Sequence, residues 1–397
     1  MAIRPRTPFA LDRCDFAGGC CPTPRRAPPA SRVDGRFVDL GSQQAGQRLE
    51  VQIAGRGGVP TNATTAVLNV TVTGSDGSGF VTVWPCDSLD PPNASSLNFA
   101  AGQDVANAAV VALSSSGTVC IRPERAATHL IADVNGFFPA GSAYRPLSPQ
   151  RLLDTRPAQT VDRRFENTGV QPAGQRIDLQ VSGRTGIPAD AAAVVLNVTA
   201  TGASDAGFVT VWPCDTAGPP NASSLNFAAG ADVPNTVIVP LSPSGTVCIE
   251  PSVAATHLLA DINGYFPAGA SFRPLSPQRL LDTRATGSTA DGRFVAGGQQ
   301  PPGARLEVEI AGRGGIAANA TAAVLNVTVT GEDGGGFVTV WPCDTADPPN
   351  ASTINYVAGR DVANAAVVPL SSHGTVCLQP SLSATHLIVD ATGYFPG

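Results

Sequence analysis

The sequence contains no lysine; all 25 strongly basic residues are arginines, against 31 Asp and Glu, for a formal net charge of −6. Only 14% of the residues are charged, and the arginines form no basic stripe. A nucleic-acid-binding surface needs such a stripe, so nucleic acid is not expected as a partner. No apolar run reaches the roughly 18 residues that cross a bilayer as a helix, so no membrane span is predicted.

The amino terminus lacks the features of a secretion signal. Pro5, Arg6 and Pro8 interrupt it, and no apolar h-region follows. The Arg25-Arg26 pair precedes Ala-Pro-Pro-Ala, where a twin-arginine signal has an apolar stretch. The sequence therefore leaves the export route open.

The sequence consists of one unit repeated three times. Tyr144–Arg156 reads YRPLSPQRLLDTR and returns as FRPLSPQRLLDTR at Phe272–Arg284, with a degenerate copy at Ile3–Arg13. Each unit has about 128 residues, which is long enough to bury its own core. We predict three domains: residues 1–143, 144–271 and 272–397.

The pattern within a unit predicts an all-β fold. With 42 glycines and 35 prolines, turns are frequent, and no segment shows helical periodicity longer than two turns. Unit two contains about seven β-branched or alternating runs, of which we expect Ala193–Thr201 and Phe208–Trp212 to pair as a hairpin. Such short strands between turns are typical of an antiparallel β-sandwich of Greek-key or jelly-roll type.

The joints between units favour a rigid assembly. A flexible linker would be rich in Gly and Ser, whereas Pro267–Arg284 is apolar, rich in proline and almost a copy of the preceding joint. We expect this segment to pack on a domain surface. Three rigidly joined copies predict a closed arrangement with internal pseudo-threefold symmetry, with a linear string of domains as the alternative.

Six of the nine cysteines form three pairs with a separation of 34 residues in each. The identical spacing predicts one disulfide per unit, with buried free thiols as the alternative. Two cysteines per unit are too few for a closed zinc site, so no metal and no cofactor is predicted. Disulfides indicate an oxidising compartment. The pairs are Cys86 and Cys120, Cys214 and Cys248, and Cys343 and Cys377.

The other three cysteines, Cys14, Cys20 and Cys21, lie in an insertion at about residues 14–33 that only the first unit has. One local bridge among them leaves an odd thiol. That thiol is predicted to form an inter-chain disulfide or to stay free.

A set of repeated motifs resembles a repeat common in actinobacterial surface and secreted proteins. The set comprises Arg-Leu-Leu-Asp-Thr-Arg, Val-Leu-Asn-Val-Thr, Gly-Phe-Val-Thr-Val-Trp-Pro-Cys and Gly-Tyr-Phe, and it covers nearly the whole chain. The resemblance implies an extracytoplasmic β-rich module, often appended to cell-wall-associated proteins. It brings no catalytic residues with it.

Each unit also contains Thr-His-Leu-x-x-Asp, which places His129, His257 and His386 four residues before an aspartate. On a strand the two side chains share a face but stand about 13 Å apart, so they do not touch. No Gly-x-Ser-x-Gly nucleophile elbow accompanies them. We interpret the histidines as structural residues near the domain joints.

The repeated Asp-Thr-Arg element supplies four charged candidates. We interpret them as ion-pair anchors at the domain joints, and ligand binding by an arginine fork is the alternative. They are Asp154, Arg156, Asp282 and Arg284.

The three tryptophans, Trp84, Trp212 and Trp341, could stack on sugars if they were exposed. Their position between a strand and a predicted disulfide favours core packing instead.

These patterns predict a non-enzymatic structural or interaction protein outside the cytoplasm, at a cell surface or on a particle or fibre. Other protein subunits are the expected partners. A secreted module that binds cell-wall or other glycans is the alternative. A hydrolase is least supported, because no unit combines a nucleophile with an acid/base pair.

Overall fold

The computed structural model describes residues 34–216 and 218–397, and the regular structure of these residues is entirely β. The predicted cysteine cluster Cys14, Cys20 and Cys21 and the opening repeat Ile3–Arg13 lie outside the described residues. The first unit comprises β1 (Leu49–Gln52), β2 (Ala63–Thr73), β3 (Gly79–Pro85), β4 (Leu97–Phe99), β5 (Val105–Ala112), β6 (Thr118–Glu124) and β7 (His129–Pro139). The second unit comprises β8 (Arg145–Asp154), β9 (Ile177–Gln180), β10 (Ala191–Thr201), β11 (Gly207–Pro213), β12 (Leu225–Phe227), β13 (Val233–Pro240), β14 (Thr246–Ser252) and β15 (His257–Pro267). The third comprises β16 (Arg273–Asp282), β17 (Leu306–Glu309), β18 (Ala320–Thr330), β19 (Gly336–Pro342), β20 (Ile354–Tyr356), β21 (Val362–Pro369), β22 (Thr375–Pro380) and β23 (His386–Pro396).

Each unit packs two antiparallel sheets on a shared apolar core. The sheets nearer the middle of the molecule, here called central sheets, have the strand orders β5-β2-β7, β13-β10-β15-β8 and β21-β18-β23-β16. The outer sheets have the orders β1-β6-β3-β4, β9-β14-β11-β12 and β17-β22-β19-β20. The first central sheet thus has three strands among the described residues, where the other two have four.

The middle strand of each central sheet is buried on both faces. Along β10, Leu196 and Val198 point into the core of their own unit, and Val195 points into a second cluster shared by all three units. A strand covered on both sides is a nearly continuous apolar run, which explains the sequence Ala-Val-Val-Leu at residues 193–196. Asn197 and Thr199 are the buried polar residues that follow on the shared side.

The expected hairpin between Ala193–Thr201 and Phe208–Trp212 is wrong. β10 pairs with β13 and β15 in the central sheet, and β11 pairs with β12 and β14 in the outer sheet. Both edges of β10 are therefore occupied, and the intervening loop carries the chain from one sheet to the other. The loop begins at Gly202, whose φ of +66° suits a residue without a Cβ.

The joint segments are strands. β8 pairs with β15 and β16 pairs with β23, so each joint becomes an edge strand of the unit that it opens. The apolar character of these segments follows from this position, because Leu152 and Leu153 are buried in the core of the second unit.

The three units close into a ring of six sheets. Phe138, Phe266 and Phe395 occupy equivalent places before the last proline of each unit, and their ring centroids lie 5.9, 6.0 and 6.3 Å apart. Each unit contacts both others at this point, so the arrangement is the closed one and not a linear string. Within the described ranges, no helix is long and apolar enough to cross a membrane.

Candidate functional site

The unit boundaries are joined by buried asparagine pairs. At each boundary, an asparagine amide on one central sheet donates a hydrogen bond to an asparagine Oδ1 on the next. The bonds are Asn107 Nδ2 to Asn197 Oδ1 (3.1 Å), Asn235 Nδ2 to Asn326 Oδ1 (2.8 Å) and Asn364 Nδ2 to Asn69 Oδ1 (2.9 Å). The last bond joins the third unit to the first and completes the circuit.

The six asparagines of these pairs, here called the asparagine ring, also form hydrogen bonds with backbone groups. Asn235 Nδ2 also donates to the Ser224 carbonyl at 2.6 Å, and its Oδ1 accepts from the Ala365 amide of the third unit at 3.1 Å. Asn326 Nδ2 donates back to the Ser223 carbonyl of the second unit at 2.7 Å. A buried amide with these bonds satisfied holds its neighbours in one geometry, because any shift would leave polar groups unpaired.

The ring is not fully regular. Asn364 Oδ1 accepts from the Ala108 amide at 2.9 Å, as Asn235 Oδ1 does from Ala365. Asn107 Oδ1 has no hydrogen-bond partner, and at that boundary Thr236 Oγ1 donates to the Ala108 carbonyl instead. The boundary between units one and two therefore has one satisfied amide oxygen fewer than the other two.

These asparagines are not among the site residues predicted from the sequence. The available signal was the recurrence of one polar residue in the middle of an apolar strand, as in Val-Leu-Asn-Val-Thr, in all three units. Its partner could not be deduced, because the pairing depends on how the units close around one another.

A buried charge cluster fixes β8 to β15. Arg151 donates to Asp261 through Nε (2.8 Å) and Nη2 (2.9 Å), and to Asp154 Oδ2 through Nη1 (2.8 Å). Arg156 donates to the same Asp154 carboxylate through Nε and Nη2. Arg279, Asp390, Asp282 and Arg284 repeat the arrangement between β16 and β23.

Burial and the arginines shift the pKa values of the carboxyl groups in this cluster. Burial would raise the pKa of Asp154, but the hydrogen bonds and charges of Arg156 and Arg151 outweigh it and lower that pKa. Burial raises the pKa of Asp261, and the Arg151 fork opposes the rise. The sequence-predicted pairs Asp154 with Arg156 and Asp282 with Arg284 are thus each brought together, with all their ion pairs inside one unit. Arg151 and Arg279, at the centres of the two clusters, are not among the residues predicted from the sequence.

His257 and His386 form hydrogen bonds to the loops that follow β8 and β16. His257 Nδ1 shares a hydrogen bond with Thr155 Oγ1 at 2.9 Å, and His386 Nδ1 shares one with Thr283 Oγ1 at 3.1 Å. The same Thr155 hydroxyl accepts from the Leu258 amide at 3.0 Å. His129 lies exposed at the start of β7.

Disulfides link the outer-sheet strands β6, β14 and β22 to the turns that follow β3, β11 and β19. The three bonds are Cys86–Cys120, Cys214–Cys248 and Cys343–Cys377. A carboxylate lies near each one, from Glu50, Asp178 and Glu307. Because both sulfurs of each pair are in a disulfide, they offer no thiolate to a metal.

The tryptophans are buried beside these disulfides. The side chains of Trp84, Trp212 and Trp341 are at most 2% exposed. Trp84 Nε1 donates to the Ser88 carbonyl at 3.0 Å, and Trp341 Nε1 donates to the Thr345 carbonyl at 3.1 Å. The rings therefore offer no face on which a sugar could stack.

Cavities of about 300 and 360 Å³ open between units in the described part of the chain. One of about 300 Å³ is lined by all three units, at the end of the ring opposite the phenylalanine triangle, and Phe99, Tyr356 and Val233 are among its lining residues. Its wall includes Asn226 and Asn355, whose Oδ1 atoms are buried without a hydrogen-bond partner.

The second cavity is a groove of about 360 Å³ between units one and two. Arg122 and Arg125 line it from the first unit and Arg156 from the second, and Phe80 of the first unit is also in its wall. The Arg125 guanidinium lies 5.7 Å from the Phe80 ring centroid, and Arg122 pairs with Glu124. At the equivalent positions, the second unit has Glu250 and Val253, and the third has Gln379 and Leu382.

No family model matches the chain, and no curated protein matches it. Among solved structures, one described as the triple jelly roll fold and turret assembly of an archaeal virus aligns over 88% of this chain and 82% of its own, at 7% identity and a TM-score of 0.20. Another, described as the atomic structure of Sulfolobus turreted icosahedral virus, aligns over 87% and 82%, at 8% identity and a TM-score of 0.19. Superpositions this loose indicate neither a shared fold nor a shared role.

Proposed function

We propose that the protein is a non-enzymatic structural and interaction module, a pseudo-threefold assembly of three jelly-roll-like β-sandwiches that acts through contacts with other protein subunits. The observation that carries this proposal is the closed ring, in which every unit boundary is joined by a buried asparagine pair. Such a boundary holds one relative orientation, and a body with fixed outer faces is what an assembly subunit needs.

The arrangement of the polar groups supports this reading over a hydrolase. A general base needs a free imidazole or carboxylate within reach of a substrate. His257 and His386 each share a hydrogen bond with a threonine hydroxyl that also accepts from a strand amide, and the nearby Asp261 carboxylate is held by the Arg151 fork and orients neither histidine. These groups therefore serve the fold.

We further propose that the protein works outside the cytoplasm, at a cell surface or on a particle or fibre. Each unit carries one disulfide, and disulfides persist in oxidising compartments. The charged residues at the starts of units two and three act as joint anchors in this proposal, because their ion pairs fix the joint strands β8 and β16 to β15 and β23.

Imaging the native protein tests the proposal. Cell envelopes, culture medium and released particles from the source would be examined by cryo-electron microscopy, with the protein located by a gold-labelled antibody and a gene deletion as the control. We expect labelled arrays, filaments or decorated particles. Free monomers with no label on any ordered assembly would overturn the structural role.

Glycan binding is the second candidate, and the groove between units one and two favours it. An aromatic ring beside arginines suits a sugar with an acidic group, because the ring packs on the sugar face while a guanidinium pairs with the carboxylate. A glycan array probed with the full chain and with Arg125→Ala would test this. Binding that survives the substitution would reject the groove as the site.

A further inference from the structure

Within residues 34–216 and 218–397, the edge of β7 is left uncovered, and this distinguishes the first unit from the other two. In the second and third units the corresponding strands, β15 and β23, are covered by β8 and β16. Among the described residues no strand covers β7, and its side chains are exposed accordingly. Ile131 is 47% and Val134 is 41% exposed, whereas the equivalent Leu259 and Ile262 are 3% and 0% exposed. An apolar sheet edge of this kind is a template for another strand.

Asp133, on the same edge, stands where the other units have a clamped aspartate. Asp261 and Asp390 are each held by an arginine fork from the covering strand. No arginine in the described part of the chain pairs with Asp133. Its partial burial raises the pKa of the carboxyl to about 6.

The opening repeat has the sequence to fill this edge. Arg4-Pro5 matches Arg145-Pro146 of β8, Pro8 matches Pro149 and Leu11 matches the buried Leu152. Ala10 falls where Arg151 stands in the second unit. In this register Asp12 falls where the buried Leu153 stands, so the copy keeps the two prolines and one of the two core leucines and lacks the arginine.

We propose that the β7 edge is a strand-binding site and that its occupant is the segment Ile3–Arg13 of the same chain, running antiparallel to β7 with Ala10 opposite Asp133. The register is that of β8 on β15, where Arg151 stands opposite Asp261. The segment is long enough to reach β7. The described chain starts at Asp34, which Arg56 holds at the place where Arg184 holds Asp162 in the second unit. About 20 residues lie between Arg13 and Asp34, which is more than the chain uses between Asp154, at the end of β8, and Asp162.

This site differs from its two counterparts in strength. Without a guanidinium to bridge the strands, the segment is held by backbone pairing and by Leu11 alone, so it opens more readily than β8 or β16. Ala10→Arg would supply the missing partner to Asp133.

Hydrogen exchange of the full-length chain tests the proposal. Amides of β7 would be followed by mass spectrometry beside those of β15, in Leu11→Asp and in the matched variant Thr23→Asp, which places the same charge in the adjacent insertion. We expect Leu11→Asp to speed exchange in β7 about tenfold or more without changing β15, and Thr23→Asp to change neither. We expect Ala10→Arg to slow β7 exchange by about tenfold, and the added substitution Asp133→Asn to cancel that gain.

Two outcomes would overturn the proposal. In one, β7 exchanges at the same rate in the parent, Leu11→Asp and Ala10→Arg proteins, which would show that the segment does not bind there. In the other, protection of β7 rises with protein concentration alongside a dimer in light scattering, which would make the strand of a second copy the occupant. Both readouts are independent of whether the protein belongs to a particle.

Discussion

Replacing Asn235 by alanine tests whether the asparagine ring holds the units together. Asn235 is fully buried, and its amide makes three hydrogen bonds: to the Ser224 carbonyl, to Asn326 Oδ1 and from the Ala365 amide. Two of the three cross the boundary between units two and three. Alanine removes all of them and leaves three polar groups without their partner.

The magnitude follows from those three groups. A buried polar group left unpaired costs about 1–3 kcal/mol, and a water that enters the vacated space would recover part of this. We expect Asn235→Ala to lower the free energy of unfolding by about 3 kcal/mol. Asn107→Ala should cost less, about 2 kcal/mol, because Asn107 Oδ1 already lacks a partner.

Urea denaturation of the full chain, followed by tryptophan fluorescence, would measure the loss. The control is Asn221→Ala, which removes an exposed hydrogen bond of 3.1 Å to Ser288 across the same boundary. We expect this control to cost under about 0.5 kcal/mol. If Asn235→Ala costs no more than Asn221→Ala, burial of the asparagine ring does not stabilise the boundary, and the reasoning is refuted.

Three further predictions follow from other parts of the structure. Arg151→Ala leaves two aspartates of the buried cluster without their shared guanidinium and should cost about 3–5 kcal/mol, whereas Arg176→Ala, which breaks an exposed pair, should cost under about 1 kcal/mol in the same urea assay. The double substitution Cys214→Ala with Cys248→Ala should cost about 3–4 kcal/mol through the freer unfolded chain, and an unchanged midpoint would count against the disulfide. The raised pKa of Asp133, about 6, means that the folded state binds more protons than the unfolded state, so this group lowers stability as the pH rises from about 4 to 6. Asp133→Asn should therefore gain stability relative to the parent across that interval and keep a constant advantage above it; a difference that is flat in thermal melts from pH 4 to 7 would exclude this role.

The sequence was sufficient for the class of fold and for its repetition. The all-β class and the three repeated units are confirmed, because turn residues and β-branched runs depend on local chain properties. The disulfides that the structure contains join the cysteines that the regular spacing had paired. Strand pairing was harder: Ala193–Thr201 is apolar on both faces, and such a run does not show which sheet it enters.

The site was less accessible than the fold. Asp154 with Arg156 was recognisable as a local pair, but Arg151 was not, because its partner Asp261 lies 110 residues away. Asn197 and Asn107 are 90 residues apart and meet only when two units close against each other. Contacts of this kind depend on tertiary geometry, and a single sequence carries no trace of them beyond a polar residue in an apolar strand.

The ring is a single covalent chain, which gives it a freedom that three identical subunits would not have. In a homotrimer, one codon change alters all three boundaries at once. Here each boundary is encoded separately, so Arg122 and Arg125 can line one groove while Glu250 and Val253 stand at the equivalent positions of the second unit. A single chain can thus present three different outer faces on one pseudo-symmetric scaffold, while the shared asparagine and phenylalanine contacts stay the same.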